Sequence, residues 1–288
     1  MKKRAEYKRY THSRLGNFTY FFFLIFAGAF SMLPFIYCIC TAFKPLDELL
    51  VFPPRFFVHR PTVENFVILP TLIEKLRVPL SRYIFNTAFI TFAGTALHII
   101  VASMAAYVLA KTDIKFKKAI FAVVQLSLLY NAYTLEVPRY LIYSNMKIID
   151  TLWVYILPAI PSTTGVFLIK QYMDSSVPDS LLEAARIDGC NMVQTVTKVI
   201  LPVAKPGIAT ASIFTFLLSY NEYLFALILT QKKARTLPVA IGQYGAEDLS
   251  YWTLSAAGVV SIVIPICIVM IFLQKYLVKG MVAGAVKG

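Results

Sequence analysis

Charge is scarce in this 288-residue chain. Asp, Glu, Lys and Arg supply 15% of it, where a soluble domain carries about a quarter. Acidic residues are scarcer still, 15 against 28 basic ones, which leaves a formal charge of +13. A nucleic-acid binder would gather that excess into a patch or stripe. Here the basic residues flank long apolar stretches instead. Cysteine is limited to Cys38, Cys40, Cys190 and Cys267, with no CxxC pair. This argues against a disulfide-stapled secreted domain, and a CxC inside an apolar run makes a poor zinc site, so the four read as small packing residues. The three histidines, His12, His59 and His98, fall at separate depths and support neither a metal site nor a triad. No GxxxxGK(S/T) loop occurs, so the chain cannot cradle a nucleotide phosphate in that manner. No internal repeat is visible, which weakens an inverted-repeat secondary carrier.

What the chain has in excess is apolar surface: 58% hydrophobic residues and a mean hydropathy of +0.67. That balance points to a membrane and away from a soluble two-domain enzyme. A crossing helix needs about 20 mostly apolar residues, and six stretches qualify: 18–43, 83–110, 119–135, 152–172, 207–229 and 252–277. The first has too long an apolar core, and no small-x-small site follows that core before Lys44, to be a cleaved signal. The third is interrupted near its end by Asn131, Glu136 and Pro138, and a break there requires protein or water beside the backbone. With the N-terminus inside, 17 of the 28 Lys and Arg lie on the inner side and 11 on the other. Six of those 11 belong to the long loop 44–82, read as a small translocated lobe that the positive-inside rule discounts.

The expectation is therefore an all-α integral membrane protein with six transmembrane helices and both termini cytoplasmic. A basic segment 1–17 precedes a membrane domain 18–277, and a cytoplasmic tail 278–288 follows. Pro34, Pro158, Pro161 and Pro265 sit inside spans and should bend them. Ala102, Ala106 and Ala110 form a smooth ridge suited to close helix contact within the chain.

The inner loop 174–206 is long and patterned where a plain connection would be short and polar. Two short amphipathic helices are predicted. One, over 180–188, puts Leu181, Leu182, Ala184, Ala185 and Ile187 forward and ends at a left-handed Gly189. The second, over 192–200, carries Met192, Val193, Val196, Val199 and Ile200 and is ended by Pro202 and Pro206. Such a stiff elbow under a membrane domain suits a peripheral partner that pushes or pulls on it. Other readings are a helix lying on the lipid surface, or Ser180 and Glu183 serving as a capping box.

Glu183-Ala184-Ala185, then Gly189, then Val199-x-Leu201-Pro202 resembles the EAA loop of the permease subunits of ATP-binding-cassette (ABC) importers, with Val199 where isoleucine is usual. Asn221-Glu222-Tyr223-Leu224-Phe225-Ala226-Leu227 resembles the fifth-span signature of the carbohydrate-type branch, with Tyr220 in place of a tryptophan. The ending from Gln274 to Gly288 resembles the MalG-like member of a permease pair. The resemblance implies a sugar permease in a prokaryotic plasma (inner) membrane, paired with a second homologous permease. Two ATPase subunits and an extracellular solute-binding protein complete such a machine. No cofactor would be bound by this chain, because ATP and magnesium belong to the ATPase subunits, and no nucleic acid is implied. Glu183, Ala184, Ala185, Gly189, Val199, Leu201 and Pro202 would form the ATPase-docking element. The tail 280–288 is a second candidate contact or simply a frayed end.

Sugars are read by hydrogen bonds around the ring edge and by aromatic faces. Tyr130, Asn131 and Tyr133 cluster in the third span, and Tyr220, Asn221, Glu222 and Tyr223 in the fifth. Polar groups at membrane depth usually face a cavity or the bundle interior, which makes these the candidates for the sugar pathway. Glu222 could instead brace the fold, and some of the tyrosines could be interfacial anchors. The competing function is a proton- or ion-coupled secondary transporter using Glu222 and His98. For His98 an interhelical hydrogen bond is the expected role.

Overall fold

In a computed structural model the chain is described over residues 14–74, 78–130, 132–222, 234–245 and 252–285, and no strand occurs among them. Among the described residues five helical runs are long and apolar enough to cross a bilayer: Gly16–Ala42, Leu80–Lys111, Trp153–Ser176, Met192–Tyr220 and Trp252–Gln274. The first lies in helix α1 (Arg14–Ala42). A lobe with two short helices, α2 (Leu46–Leu49) and α3 (Glu64–Glu74), separates it from α4 (Leu80–Lys111).

The stretch 119–135 does not form one continuous span. It is divided into α5 (Lys117–Ser127), a 3-10 turn (Ala132–Leu135) and α6 (Glu136–Asn145). Eleven residues of α5 rise about 16 Å, half of a hydrocarbon core. The short helix is held by stacking of Phe121 on Phe167, with the Lys170 ammonium 4.0 Å above the Phe121 ring. The fourth span is likewise two pieces, α7 (Trp153–Ala159) and α8 (Thr163–Ser176), broken around Pro161.

After the elbow, α10 (Met192–Gln194), a π-helical turn (Thr195–Ile200) and α11 (Leu201–Tyr220) run on without interruption. Pro202 and Pro206 therefore do not end the second amphipathic helix, as the sequence pattern suggested. Proline removes a donor and crowds the preceding turn, and the wide π turn immediately before Pro202 gives room for the ring. The chain closes with α12 (Leu237–Gly245) and α13 (Trp252–Ala285). The terminal helix runs on past the apolar stretch, so residues 278–285 of the expected tail are helical.

α4, α8 and α11 pack on one another at the centre. In lipid no hydrophobic drive pulls helices together, so close packing through small residues must do so. Ala102 and Ala106 of the expected ridge are fully buried there beside Ala204 and Ala211, while Ala110, its third member, is half-buried. Gly207 lets α11 press against α8, since a β-carbon on it would come within 2.6 Å of Tyr172. α13 joins this core, and α1 leans on α13 through Ala42, Ala256 and Ala257. His98 of α4 is fully buried, and its Nδ1 lies 2.9 Å from the Ile160 carbonyl at the α7–α8 break. That is the interhelical bond expected of it. The break leaves a carbonyl for the imidazole to satisfy, and Gly165 on α8 leaves room for the ring.

Candidate functional site

The elbow begins at α9 (Asp179–Ile187), which starts directly after Pro178. No side chain caps it, so the Ser180–Glu183 capping box does not form. Instead Lys111, at the end of α4, donates to Asp179 at 2.9 Å in its first turn. The Lys111 bond holds the Asp179 carboxyl below its ordinary value. The capping box occurs one step later. Asn191 accepts from the Gln194 amide at 2.8 Å, and the Gln194 side chain accepts from the Asn191 amide at 3.0 Å. The Asn-x-x-Gln spacing was legible in the sequence; the Lys111 partner, far away in the chain, was not.

The two faces of α9 separate by role. Leu182 and Ala185 are buried, Leu182 within the cluster formed by α4, α8 and the start of α11. Glu183, Ala184 and Ile187 are exposed, Ile187 at 86%. Gly189 adopts φ +73°, the left-handed geometry that ends the helix, and a β-carbon there would meet nothing within 4 Å. The chain turns and presents Met192 and Val193, exposed at 59% and 69%. Val199 and Leu201 are half-buried and Pro202 is exposed. The motif thus divides: Leu182, Ala185 and Ile200 root the elbow in the membrane core, while Glu183, Ala184, Ile187, Gly189, Met192 and Val193 form a bare surface at its tip.

The intramembrane candidates are less unified. Tyr130 is exposed just past α5, Tyr133 lies in the 3-10 turn, and Asn131 and Tyr223 lie outside the described residues. Tyr220 is buried, stacked on Phe216, and its hydroxyl donates to the Ile262 carbonyl at 2.9 Å, a brace between α11 and α13. Asn221 donates back to the Leu217 carbonyl and closes α11. Glu222, half-buried at that end, lies within electrostatic reach of Tyr143 and Tyr155.

Two residues that the sequence did not single out hold the segment before α12 against α4. Asn86 donates to the Arg235 carbonyl, and Thr87 accepts from the Leu237 amide, both at 2.9 Å. The hydroxyls of Tyr83, Tyr155, Thr91 and Ser219 are buried without hydrogen-bond partners among the described residues. Of these residues Thr91 lines a cavity of about 350 Å³, with Thr87, Phe92, Phe216 and Tyr220 also in its wall.

The same architecture occurs in known proteins. A bacterial ABC transporter involved in importing the acidic polysaccharide alginate has a chain that superposes with a TM-score of 0.76 at 23% identity, covering 92% of this chain and 99% of that one. In sequence, the sulfoquinovosyl glycerol transport system permease SmoH of Agrobacterium fabrum is 31% identical over 89% of each chain. The melibiose/raffinose/stachyose import permease MelC of Bacillus subtilis is 34% identical over 74% of this chain and 78% of its own. Residues 10–283 match a single family throughout, from the first apolar helix to the last. With its apolar helices and the elbow between two of them, this multi-pass chain belongs to the binding-protein-dependent transport system inner membrane components.

Proposed function

We propose that this chain is one of two different permease subunits of an ABC importer for an oligosaccharide, and that the elbow is where an ATPase subunit docks. The observation that carries the docking assignment is the division of α9. Leu182 ties it to the helices that would enclose the pathway and Ala185 is buried beside it, while Glu183, Ala184, Ile187, Met192 and Val193 stand exposed. A force applied to that bare tip is transmitted through rooted side chains into α4, α8 and α11. A surface helix of the bilayer would instead bury its apolar side in lipid and have no need of a rigid root. The relatives' names, which specify sulfoquinovosyl glycerol, melibiose, raffinose and stachyose, favour a sugar as cargo.

On this reading the sixth crossing is made in two pieces by α5 and α6, and both termini lie inside, in keeping with the excess of Lys and Arg on that side. The chain itself hydrolyses nothing; two ATPase subunits bind ATP and magnesium. A sugar-loaded binding protein drives the cycle only by preferring one conformation of the assembly, because a ligand shifts an equilibrium no further than its differential affinity allows. Tyr83, Tyr155 and Ser219 join Tyr130, Asn131, Tyr133, Glu222 and Tyr223 as pathway candidates. A proton-coupled carrier is disfavoured by His98, whose Nδ1 is engaged with the Ile160 carbonyl.

The deciding experiment reconstitutes the chain with its partners and measures uptake with ATP withdrawn and a proton gradient maintained. Uptake should stop. In the complete assembly, ATP hydrolysis should rise when the binding protein carries its sugar. Uptake that follows the proton gradient and ignores ATP would refute the importer reading.

A further inference from the structure

The lobe that follows α1 is folded back toward the membrane. Past Ala42 the chain runs through Lys44 and α2, passes an apolar apex at 50–57, and returns so that the Thr62 amide donates to the Phe43 carbonyl at 2.9 Å. Three ties make the loop rigid. Asn65 donates to the carbonyls of Ala42 and Lys44 at 2.9 and 2.8 Å. Glu48, itself buried, accepts from the His59 amide at 2.8 Å and the Arg60 amide at 3.3 Å. Lys44, only 2% exposed, points back along the helix, donates to the Arg55 carbonyl and sits over the Tyr37 ring. Phe56 packs on the same ring, centroids 5.4 Å apart, and Phe57 packs on Phe56.

Tyr37 lies five residues before the end of α1, about 7 Å along a helix axis. The apex is thus held beside the last turns of a membrane-crossing helix whose own side chains there, Phe35, Ile36 and Ile39, are exposed. Leu50, Val51, Phe52 and Phe57 at the apex are exposed at 61%, 40%, 92% and 67%. No acidic residue occurs between Glu48 and Glu64, while Arg55 lies within the apex. Bare aromatic rings, a basic side chain and a missing negative charge, at the level where a crossing helix leaves the hydrocarbon, match the chemistry of the lipid interface.

We propose that the apex 50–57 is an interfacial anchor, with Phe52 and Phe57 seated at the headgroup–acyl boundary and Arg55 at lipid phosphate. The occupant is the bilayer because the lobe's ties direct the apex back along α1 and make it continuous with that helix's apolar surface. A soluble protein would approach from the opposite, aqueous side. Fixing the end of α1 in the interface would give the moving helices a stationary reference.

The test places nitroxide labels at Phe52→Cys and Phe57→Cys, with Glu64→Cys as the control, in a chain whose native cysteines are alanine. The complete transporter is held in phospholipid nanodiscs. Labels at 52 and 57 should collide more with oxygen than with a water-soluble nickel chelate, and the label at 64 should show the reverse. A second measurement keeps all native cysteines and puts a photoreactive benzoylphenylalanine at 52 or 57, where adducts should form with phospholipid. Free access of the nickel chelate to 52 and 57, protection that develops only when binding protein is added, or adducts confined to another subunit would each overturn the anchor. None of these outcomes depends on which sugar is carried.

Discussion

Glu183 and Gly189 show how little chemistry the proposed docking tip needs. Glu183 is exposed, so Glu183→Lys inverts a surface charge and should leave folding and insertion intact while abolishing ATP-driven uptake. Gly189→Asp adds bulk and charge at a φ of +73°, where an L-residue costs about 1–2 kcal/mol. Uptake assayed beside membrane-fraction levels checks both variants, and normal uptake with either contradicts docking at this tip. Gly165 is a different case. A β-carbon there would overlap the His98 ring, so Gly165→Ala should lower stability by about 1–3 kcal/mol, the usual penalty of overpacking. Replacing His98 by Ala in the same chain should recover part of that loss. Thermal unfolding of the two single variants and the double one measures the coupling, and strict additivity would show that the contact carries no energy. The reason for Gly165 was unreadable in the sequence, because its partner lies on another helix.

Among the elements, α9 depends on its buried side and on its first turn. Leu182→Ala removes the root of the elbow and should cost about 2–5 kcal/mol of local stability, typical of an aliphatic core truncation. Ile187→Ala, at the bare tip, should cost almost nothing while weakening the ATPase contact. Hydrogen exchange across α9 separates the two. Asp179 supplies a pH dependence. Its folded pKa is lowered by Lys111, so the pair stabilises the elbow above the ordinary carboxylate range and loses that contribution as pH falls through the depressed folded value. Asp179→Asn should flatten this acid response, and added salt should weaken it in the native chain because Asp179 is exposed. The amphipathic spacing of 180–188 anticipated α9 to within a residue at its start. The pattern of 192–200 failed at Pro202 and Pro206, where local rules end a helix and the π turn before Leu201 runs on into α11.

For the molecule as a whole, the packed centre of α4, α8 and α11 implies motion as a unit. Those helices interlock, small residues on one receiving larger side chains from another, as Gly207 receives Tyr172 and Gly165 receives His98. Enlarging the seam by Ala106→Leu should separate the helices and lower stability by about 1–3 kcal/mol. It should also uncouple transport while leaving the elbow's surface unchanged. Unfolding in detergent and sugar-stimulated ATP hydrolysis are the measurements, and an unaltered pair of values would contradict a rigid seam.

Composition and periodicity by themselves determined that this chain is a helical membrane protein with an elbow between two of its apolar helices, because lipid permits few unpaired backbone groups and a helix must be apolar over its full crossing. The spacing of Glu183, Gly189 and Pro202 likewise disclosed the elbow, since a short amphipathic helix and its glycine stop are local features. Only the tertiary structure decided that α5 falls short of a crossing, that Tyr220 braces Ile262, and that Asn86 and Thr87 hold the segment before α12. Each of these depends on a partner brought near from a distant part of the chain, and no local pattern encodes such a meeting.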